Sequence, residues 1–75
     1  MSHRLINIDP EILSGTPVFN GTRVPVQSLF DWLETETLDE FLENFPSVSR
    51  KQAIELLRKA EHLVVNETEL GETAP

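Results

Sequence analysis

The chain has 75 residues, a mass of 8.5 kDa and no cysteine, and its thirteen acidic residues outnumber six lysines and arginines, for a net charge of −7. This length allows one domain with a small hydrophobic core, and without cysteine no disulfide or thiolate zinc site can reinforce that core. The only two histidines, His3 and His62, are too far apart in sequence for a local metal-ligand pair. We therefore expect a marginally stable monomer that is supported by a partner chain, with no metal and no cofactor.

The distribution of charge narrows the possible partners. The apolar runs are too short to cross a membrane and the first residues lack the apolar core of a signal peptide, so we expect a cytoplasmic protein with no membrane contact. The net charge of −7 opposes diffuse attraction to nucleic acid, so any such contact must be local. Residues 31–46 carry six acids and no base, whereas residues 47–64 carry four bases and two acids. The second of these segments is the only basic one.

The first 24 residues predict a β arm. Residues 5–8 have strand-like composition and stop at Asp9 and Pro10, and residues 14–17 form a loop. Asn20 and Gly21 then lie between β-formers, and both residue types accept the positive φ of a type I′ turn. The sequence therefore predicts a two-residue hairpin turn in which Phe19 and Thr22 face each other.

The next segment predicts two short helices. Pro25 suits the entry to a helix over residues 26–34, with Trp32 off its apolar stripe as part of a satellite core. Thr37 and Glu40 form a capping box that opens a second helix, which runs to about Asn44 before Pro46 prevents continuation. The side chains that we expect these helices to bury are Val26, Leu29, Phe30, Leu33, Leu38, Phe41 and Leu42.

A second capping box, formed by Ser49 and Gln52, opens a third helix from residue 50 through about Val64. An advance of about 100° per residue places one apolar face inward and sets Lys51 and Arg58 nearly in register on the opposite face. The predicted inward side chains are Ala53, Leu56, Leu57, Ala60, Leu63 and Val64, with Ile54 on the flank. Residues 66–75 are acidic and predict a flexible tail, which leaves a single domain over residues 1–65.

Two capped helices joined by residues 45–48 are typical of a helix-turn-helix protein. The predicted fold is mainly α: a three-helix, homeodomain-like helix-turn-helix bundle with a short N-terminal β-hairpin arm. The third helix supplies the candidate DNA-binding residues, namely Arg50, Lys51, Arg58 and Lys59. Arg50 and Lys51 lie in the first turn of the helix, where their positive charge is unfavourable next to the helix dipole. A bound phosphate would compensate this unfavourable interaction. A generic three-helix bundle with a solvated, charged outer face remains an alternative.

The sequence offers little for catalysis. His62 lies on a mostly polar helix face and His3 lies near the N-terminus, so neither is placed beside a nucleophile. The acids at positions 36, 39, 40 and 43 have helical spacing without the glycine of a calcium loop, which favours a solvated face over a cation site. We expect no enzyme, no catalytic residue and no metal site.

From residue 8 to about residue 60, the chain resembles a small bacterial family, the domain-of-unknown-function family 433. The likeness rests on residues 8–12 (Ile-Asp-Pro-Glu-Ile), residues 15–19 (Gly-Thr-Pro-Val-Phe), residues 21–26 (Gly-Thr-Arg-Val-Pro-Val), residues 38–42 (Leu-Asp-Glu-Phe-Leu) and residues 45–49 (Phe-Pro-Ser-Val-Ser) before the last helix. The resemblance implies a homeodomain-like three-helix domain with an N-terminal β arm, in agreement with the fold predicted from caps and periodicity.

The resemblance also implies a function, that of an antitoxin in a type II toxin-antitoxin system. Members of the family are commonly encoded beside a toxin with a PIN-like nuclease domain, and are taken to neutralise it and to bind their own operator DNA. Gly21, Thr22 and Arg23 are the characteristic positions and become candidate partner-binding residues. Alternatively, Gly21 serves only its turn and Arg23 pairs with an acid of the arm, Asp9 or Glu11.

Two considerations qualify this hypothesis. One module with four suitable bases binds an operator weakly, so DNA binding requires a homodimer with one third helix per half-site. Relatives usually have a glycine-containing turn between the first two helices, whereas residues 33–37 lack glycine, so the first helix should end without a left-handed cap. This departure and the net charge favour an alternative, a protein-only interaction module that binds a partner protein without contacting DNA.

Overall fold

The computed structural model describes residues 4–70, with side chains described through residue 66. It confirms a mainly helical fold with three helices and a short antiparallel pair of strands near the N-terminus. The elements are β1 (Ile6–Asn7), a 3₁₀ turn (Leu13–Gly15), β2 (Val18–Phe19), α1 (Val26–Trp32), α2 (Leu38–Asn44) and α3 (Arg50–Leu70).

The β arm belongs to the core. Ile6 lies opposite Phe19 in the antiparallel ladder and Asn7 lies opposite Val18, which also bridges to Pro25 at the start of α1. Both side chains of β2 are fully buried. The arm is therefore fixed against the helices.

The turn that follows β2 differs from the predicted one. The amide of Thr22 donates to the carbonyl of Phe19 at 3.0 Å, and Gly21 has a φ of 83° whereas Asn20 does not have a positive φ. A turn with a positive φ at its third residue and not at its second is a type II turn, whereas a type I′ turn requires a positive φ at both central residues. The predicted type I′ geometry of this turn is wrong, and so is the predicted facing of Phe19 and Thr22. The amide of Phe19 donates to the carbonyl of Val24 at 3.0 Å, so Phe19 pairs with Val24.

The 3₁₀ turn of the arm is left-handed. Leu13, Ser14 and Gly15 have φ values of 49°, 57° and 86°. This conformation costs roughly 1–2 kcal/mol for each residue that carries a Cβ. Thr16 donates two hydrogen bonds to the carbonyl of Leu13, one from its amide at 3.1 Å and one from its hydroxyl at 2.8 Å. These two hydrogen bonds offset part of the backbone strain.

The connection between α1 and α2 has no left-handed cap, as the missing glycine predicted. α1 ends at Trp32, two residues before the predicted end, and its C-cap Leu33 keeps right-handed helical geometry with φ −71° and ψ −6°. The amide of Glu36 then donates to the carbonyl of Trp32 at 2.8 Å. α2 has the predicted bounds, and its capping box is confirmed because Thr37 and Glu40 each accept from the other's amide at 3.1 Å.

The core is centred on Phe41 of α2, which is fully buried. Its ring centroid lies 4.7 Å from that of Phe45, and 6.4 Å from those of both Phe19 and Trp32. Trp32 thus packs at the edge of the core, as predicted. The side chains that line the rest of the buried core are Leu5, Val18, Leu29, Val48, Ala53 and Leu56.

The last helix is longer than predicted. α3 continues to Leu70, so the predicted flexible tail begins with helical residues, and residues 71–75 lie outside the described part of the chain. The prediction that Leu63 and Val64 are buried is wrong, because they are 63% and 62% exposed. The reason is length: 21 residues of helix extend about 32 Å, whereas the seven-residue α1 and α2 extend about 10 Å each.

The capping box of α2 gives a prediction for acid stability. The Thr37 amide, the carboxyl of Glu36 and the Thr37 hydroxyl lower the pKa of Glu40, and hydrogen bonding and charge repulsion from Glu40 raise the pKa of Glu36. Because the pKa of Glu40 is lower in the folded state, Glu40 stabilises the protein at pH values above its unfolded pKa, and this contribution is lost as the pH falls through its folded pKa. Glu36, whose pKa is raised, makes a contribution of the opposite sign. In a Glu36→Gln variant, we expect thermal stability to decrease as the pH falls below the ordinary value of 4.5.

The matched variant is Glu36→Gln plus Glu40→Gln, which removes the remaining carboxyl of the pair. Thermal melts followed by circular dichroism from pH 6 to pH 3 should show a smaller decrease in melting temperature for this double variant. Parallel curves for the two variants would contradict the role of the ionised Glu40 in the cap.

Candidate nucleic-acid interface

The first turn of α3 is fixed by the side chain of Gln52. Its Oε1 accepts from the amide of Ser49 at 3.0 Å while the hydroxyl of Ser49 accepts from the amide of Gln52 at 3.0 Å, which confirms the second capping box. The Nε2 of the same side chain donates to the carbonyl of Asn20 at 3.0 Å. The start of α3 is therefore tied to the turn of the β arm, which sets the direction in which the exposed side of the helix points.

The four predicted DNA-binding residues all lie exposed on α3. Arg50 forms an ion pair with Asp39 of α2, which neutralises its charge locally. Lys51, Arg58 and Lys59 have no ion-pair partner within residues 4–66. Arg50 is therefore a bridge between α2 and α3, and the other three side chains carry the uncompensated positive charge of the helix.

Lys51 and Arg58 lie on one face, as their seven-residue spacing predicted. Together with Arg50, Ile54 and Glu55 they line an open hollow of about 490 Å³. We call this surface the basic face. Ile54, which the sequence placed only on the flank of the apolar stripe, contributes the apolar floor of the hollow. Lys59 instead lines a neighbouring hollow of about 360 Å³ with Arg58 and His62, so it lies to one side of the basic face.

The basic face can receive an extended anion. Cations separated by two helical turns are about 10 Å apart along the axis, so they can contact two different phosphates. The first turn of α3 adds the positive end of the helix dipole. The only acid that lines the hollow is Glu55, which would face an approaching phosphate unfavourably. The arrangement therefore suits phosphate contact by a few residues and not by a broad surface.

The candidate partner-binding residues Gly21, Thr22 and Arg23 line a separate hollow of about 590 Å³. The structure gives the first two a conformational role. Gly21 needs its positive φ, and the space where a Cβ would lie is open. The hydroxyl of Thr22 donates to the carbonyl of Phe19 at 2.9 Å and accepts from the amide of Val24 at 2.9 Å.

Arg23 is different, because it is exposed and has no hydrogen bond or ion pair within the described side chains. The alternative in which it pairs with Asp9 or Glu11 is wrong. The carboxylate of Asp9 instead accepts from the amide of Glu11 at 2.9 Å. The guanidinium of Arg23 is therefore available to a ligand at the edge of this hollow.

The described residues offer neither a metal site nor a membrane-spanning helix. No group of three or more histidine, aspartate or glutamate side chains among them could hold a metal ion. No helix in this part of the chain combines the length and apolar character that crossing a bilayer requires.

The described residues form a small, mainly helical domain in which three helices and a short antiparallel strand pair share one core and the third helix exposes a basic face. A family model described as a protein of unknown function (DUF433) matches residues 6–58, more than half of the chain, and the chain belongs to this family. No curated protein and no solved structure matches it. The matched range covers the β arm, α1, α2 and the first part of α3.

Proposed function

We propose that this chain is the antitoxin of a type II toxin-antitoxin system, which binds operator DNA as a homodimer and neutralises a PIN-like nuclease toxin by direct binding. The observation that carries the DNA-binding part is the position of Lys51 and Arg58, exposed on one face of α3 without an ion-pair partner among the described residues. The toxin is inferred from the family resemblance.

The net charge of −7 makes this DNA contact a local one. An α-helix fits into the major groove of B-DNA, where side chains on its exposed side reach phosphates and base edges. Each copy offers two phosphate contacts from the basic face, and a dimer therefore offers four. The acidic remainder of the surface opposes non-specific binding, so binding depends on correct placement of both copies.

Toxin neutralisation would use a second surface, the hollow around Arg23. A free guanidinium forms bidentate hydrogen bonds with a carboxylate and so fixes the orientation of an acidic partner. Because this hollow and the basic face are formed by different residues, one chain can bind toxin and DNA at once.

A salt titration tests DNA binding. Four phosphate contacts correspond to a slope of about −3.6 in a plot of log affinity against log salt, so we expect the affinity for the chain's own upstream DNA to fall about 100-fold between 50 and 200 mM salt. Fluorescence anisotropy with a labelled upstream duplex measures this decrease, and a scrambled duplex of equal length is the control. Absence of binding at 50 mM would contradict the DNA-binding assignment.

The second candidate function is a protein-only interaction module that neutralises the toxin without contacting DNA. The ion pair between Arg50 and Asp39 favours it, because Asp39 competes with a phosphate for one of the four predicted DNA-binding residues. Co-purification of the product of the adjacent open reading frame with this chain, combined with no DNA binding at low salt, would support this candidate over the first.

A further inference from the structure

The ion pair between Arg50 and Asp39 joins the first turns of two helices. Asp39 lies in the first turn of α2, and Arg50 is the first residue of α3. The Nη2 of Arg50 donates to the Oδ1 of Asp39, and the two side chains are 60% and 75% exposed. A capping box holds each of these first turns, so both side chains extend from fixed backbone positions. The pair is therefore set by the placement of α2 and α3, and it is open to a ligand that approaches from solvent.

Asp39 supplies negative charge where a DNA phosphate would otherwise be needed. Arg50 lines the hollow of the basic face beside Lys51 and Arg58, whereas Asp39 does not line this hollow. The charge of Arg50 is unfavourable next to the dipole of α3, and an anion beside it compensates this interaction. In the free chain that anion is the carboxylate of Asp39. Within the chain, this carboxylate therefore serves as the partner that DNA would offer to Arg50.

We propose that Asp39 is an intramolecular competitor of DNA phosphate, which pairs with Arg50 and thereby lowers the affinity of the basic face for DNA. This inference rests on the DNA binding of the proposed function and names a residue that regulates it. A guanidinium has five N–H groups, so Arg50 can reach a phosphate while it remains paired. The pair has no net charge, however, and such a contact releases no counterion from the DNA. Each copy then makes two salt-dependent contacts instead of three, and a dimer makes four instead of six.

Asp39→Asn tests the competition, because it removes the charge of the competitor and keeps the shape of the side chain. Six contacts correspond to a slope of about −5.4 in a plot of log affinity against log salt, in place of about −3.6 for wild type. We expect the affinity for the upstream duplex to rise about tenfold or more at 50 mM salt, and to fall about 2,000-fold between 50 and 200 mM. Fluorescence anisotropy with the labelled duplex measures both effects.

The matched control is Glu43→Gln, which changes the net charge by the same amount on the same helix. Glu43 is exposed and forms no ion pair with any described side chain. Its replacement should leave the slope near about −3.6, since it frees no base. Circular dichroism checks that both variants are folded. An equal increase in slope for Asp39→Asn and Glu43→Gln would overturn the proposal, because the effect would then depend on net charge alone.

A double variant tests whether Asp39 acts through Arg50. Adding Arg50→Gln to Asp39→Asn should return the slope to about −3.6, because the freed guanidinium is the source of the additional contacts. A double variant that keeps the steeper slope would overturn the proposal. A lower affinity of Asp39→Asn than of wild type would also overturn it, since Asp39 would then position Arg50 for DNA rather than compete with DNA.

The same measurements separate this inference from the proposed function. A wild-type chain that binds the duplex with the same affinity and slope as Asp39→Asn supports DNA binding and contradicts the competition. Binding by Asp39→Asn without binding by wild type at 50 mM salt supports the competition and contradicts operator binding by the natural chain. Absence of binding by both contradicts both.

Discussion

Replacement of Lys51 and Arg58 with glutamate should lower the affinity for operator DNA by about 1,000-fold or more at low salt. Each dimer loses four phosphate contacts, and at about 1 kcal/mol for each contact the loss amounts to almost three factors of ten. The four new carboxylates then add repulsion from the phosphates. Both positions are exposed, so the variant should fold like wild type and retain toxin binding.

The control for this prediction is a double variant with the same net charge as the Lys51→Glu plus Arg58→Glu variant but with no substitution in α3. Arg4→Glu plus Arg23→Glu introduces an identical charge difference in the β arm, and it should bind operator DNA far more tightly than the α3 variant. Sedimentation of both variants without DNA shows whether they have the same oligomeric state. Unchanged DNA affinity of the α3 variant in a low-salt gel shift would contradict the assignment of the basic face.

Phe41→Ala should unfold the isolated chain. Phe41 is fully buried and its ring contacts three other aromatic rings, of Phe19, Trp32 and Phe45. Truncation of a buried phenylalanine to alanine costs about 3–5 kcal/mol. A 75-residue domain without disulfides has a total stability of similar size, so the loss should leave little folded protein at 25 °C.

The single tryptophan makes this measurement direct. Trp32 lies beside Phe41, so its fluorescence and the near-ultraviolet circular dichroism both report packing at the altered site. Ile8→Ala is the control, because Ile8 is mostly exposed and should change the unfolding free energy by less than about 0.5 kcal/mol. A Phe41→Ala variant that unfolds cooperatively within about 1 kcal/mol of wild type would contradict the central role of this ring.

The parts of the fold that could be predicted from the sequence are those that local chemistry determines. α2 begins and ends at the predicted residues because Thr37 supplies its cap and Pro46 prevents its continuation. The start of α3 was predicted for the same reason, from Ser49 and Gln52. These signals act over three or four residues and do not depend on the rest of the chain.

The end of α3 could not be predicted in the same way. Helical periodicity shows which side chains share a face, but it does not show whether another element is long enough to cover that face. Leu63 and Val64 are on the predicted stripe, yet α1 and α2 are too short to reach them. The type of the arm's turn was missed because Asn-Gly also fits a type II turn, and the pairing of Phe19 with Val24 decides between the two.

The sequence predicted which basic residues of the candidate site share a face, but it did not predict which of them form ion pairs with residues far away in the chain. Lys51 and Arg58 share a face because seven residues are almost two helical turns. The ion pair of Arg50 with Asp39 joins residues eleven positions apart on different helices, and only the relative placement of α2 and α3 brings them together. For Arg23, a nearby acid in sequence was no guide, since among the described side chains neither Asp9 nor Glu11 forms an ion pair with it.

The amide group of Gln52 links the two surfaces of the domain. One of its atoms caps α3, and the other holds the carbonyl of Asn20 beside the characteristic Gly-Thr-Arg segment. A ligand that rearranges that segment must either keep or break this hydrogen bond, and breaking it perturbs the first turn of α3. Under the proposed function, we expect binding of the toxin at that segment and binding of operator DNA at the basic face to be thermodynamically coupled through this side chain, equally in both directions.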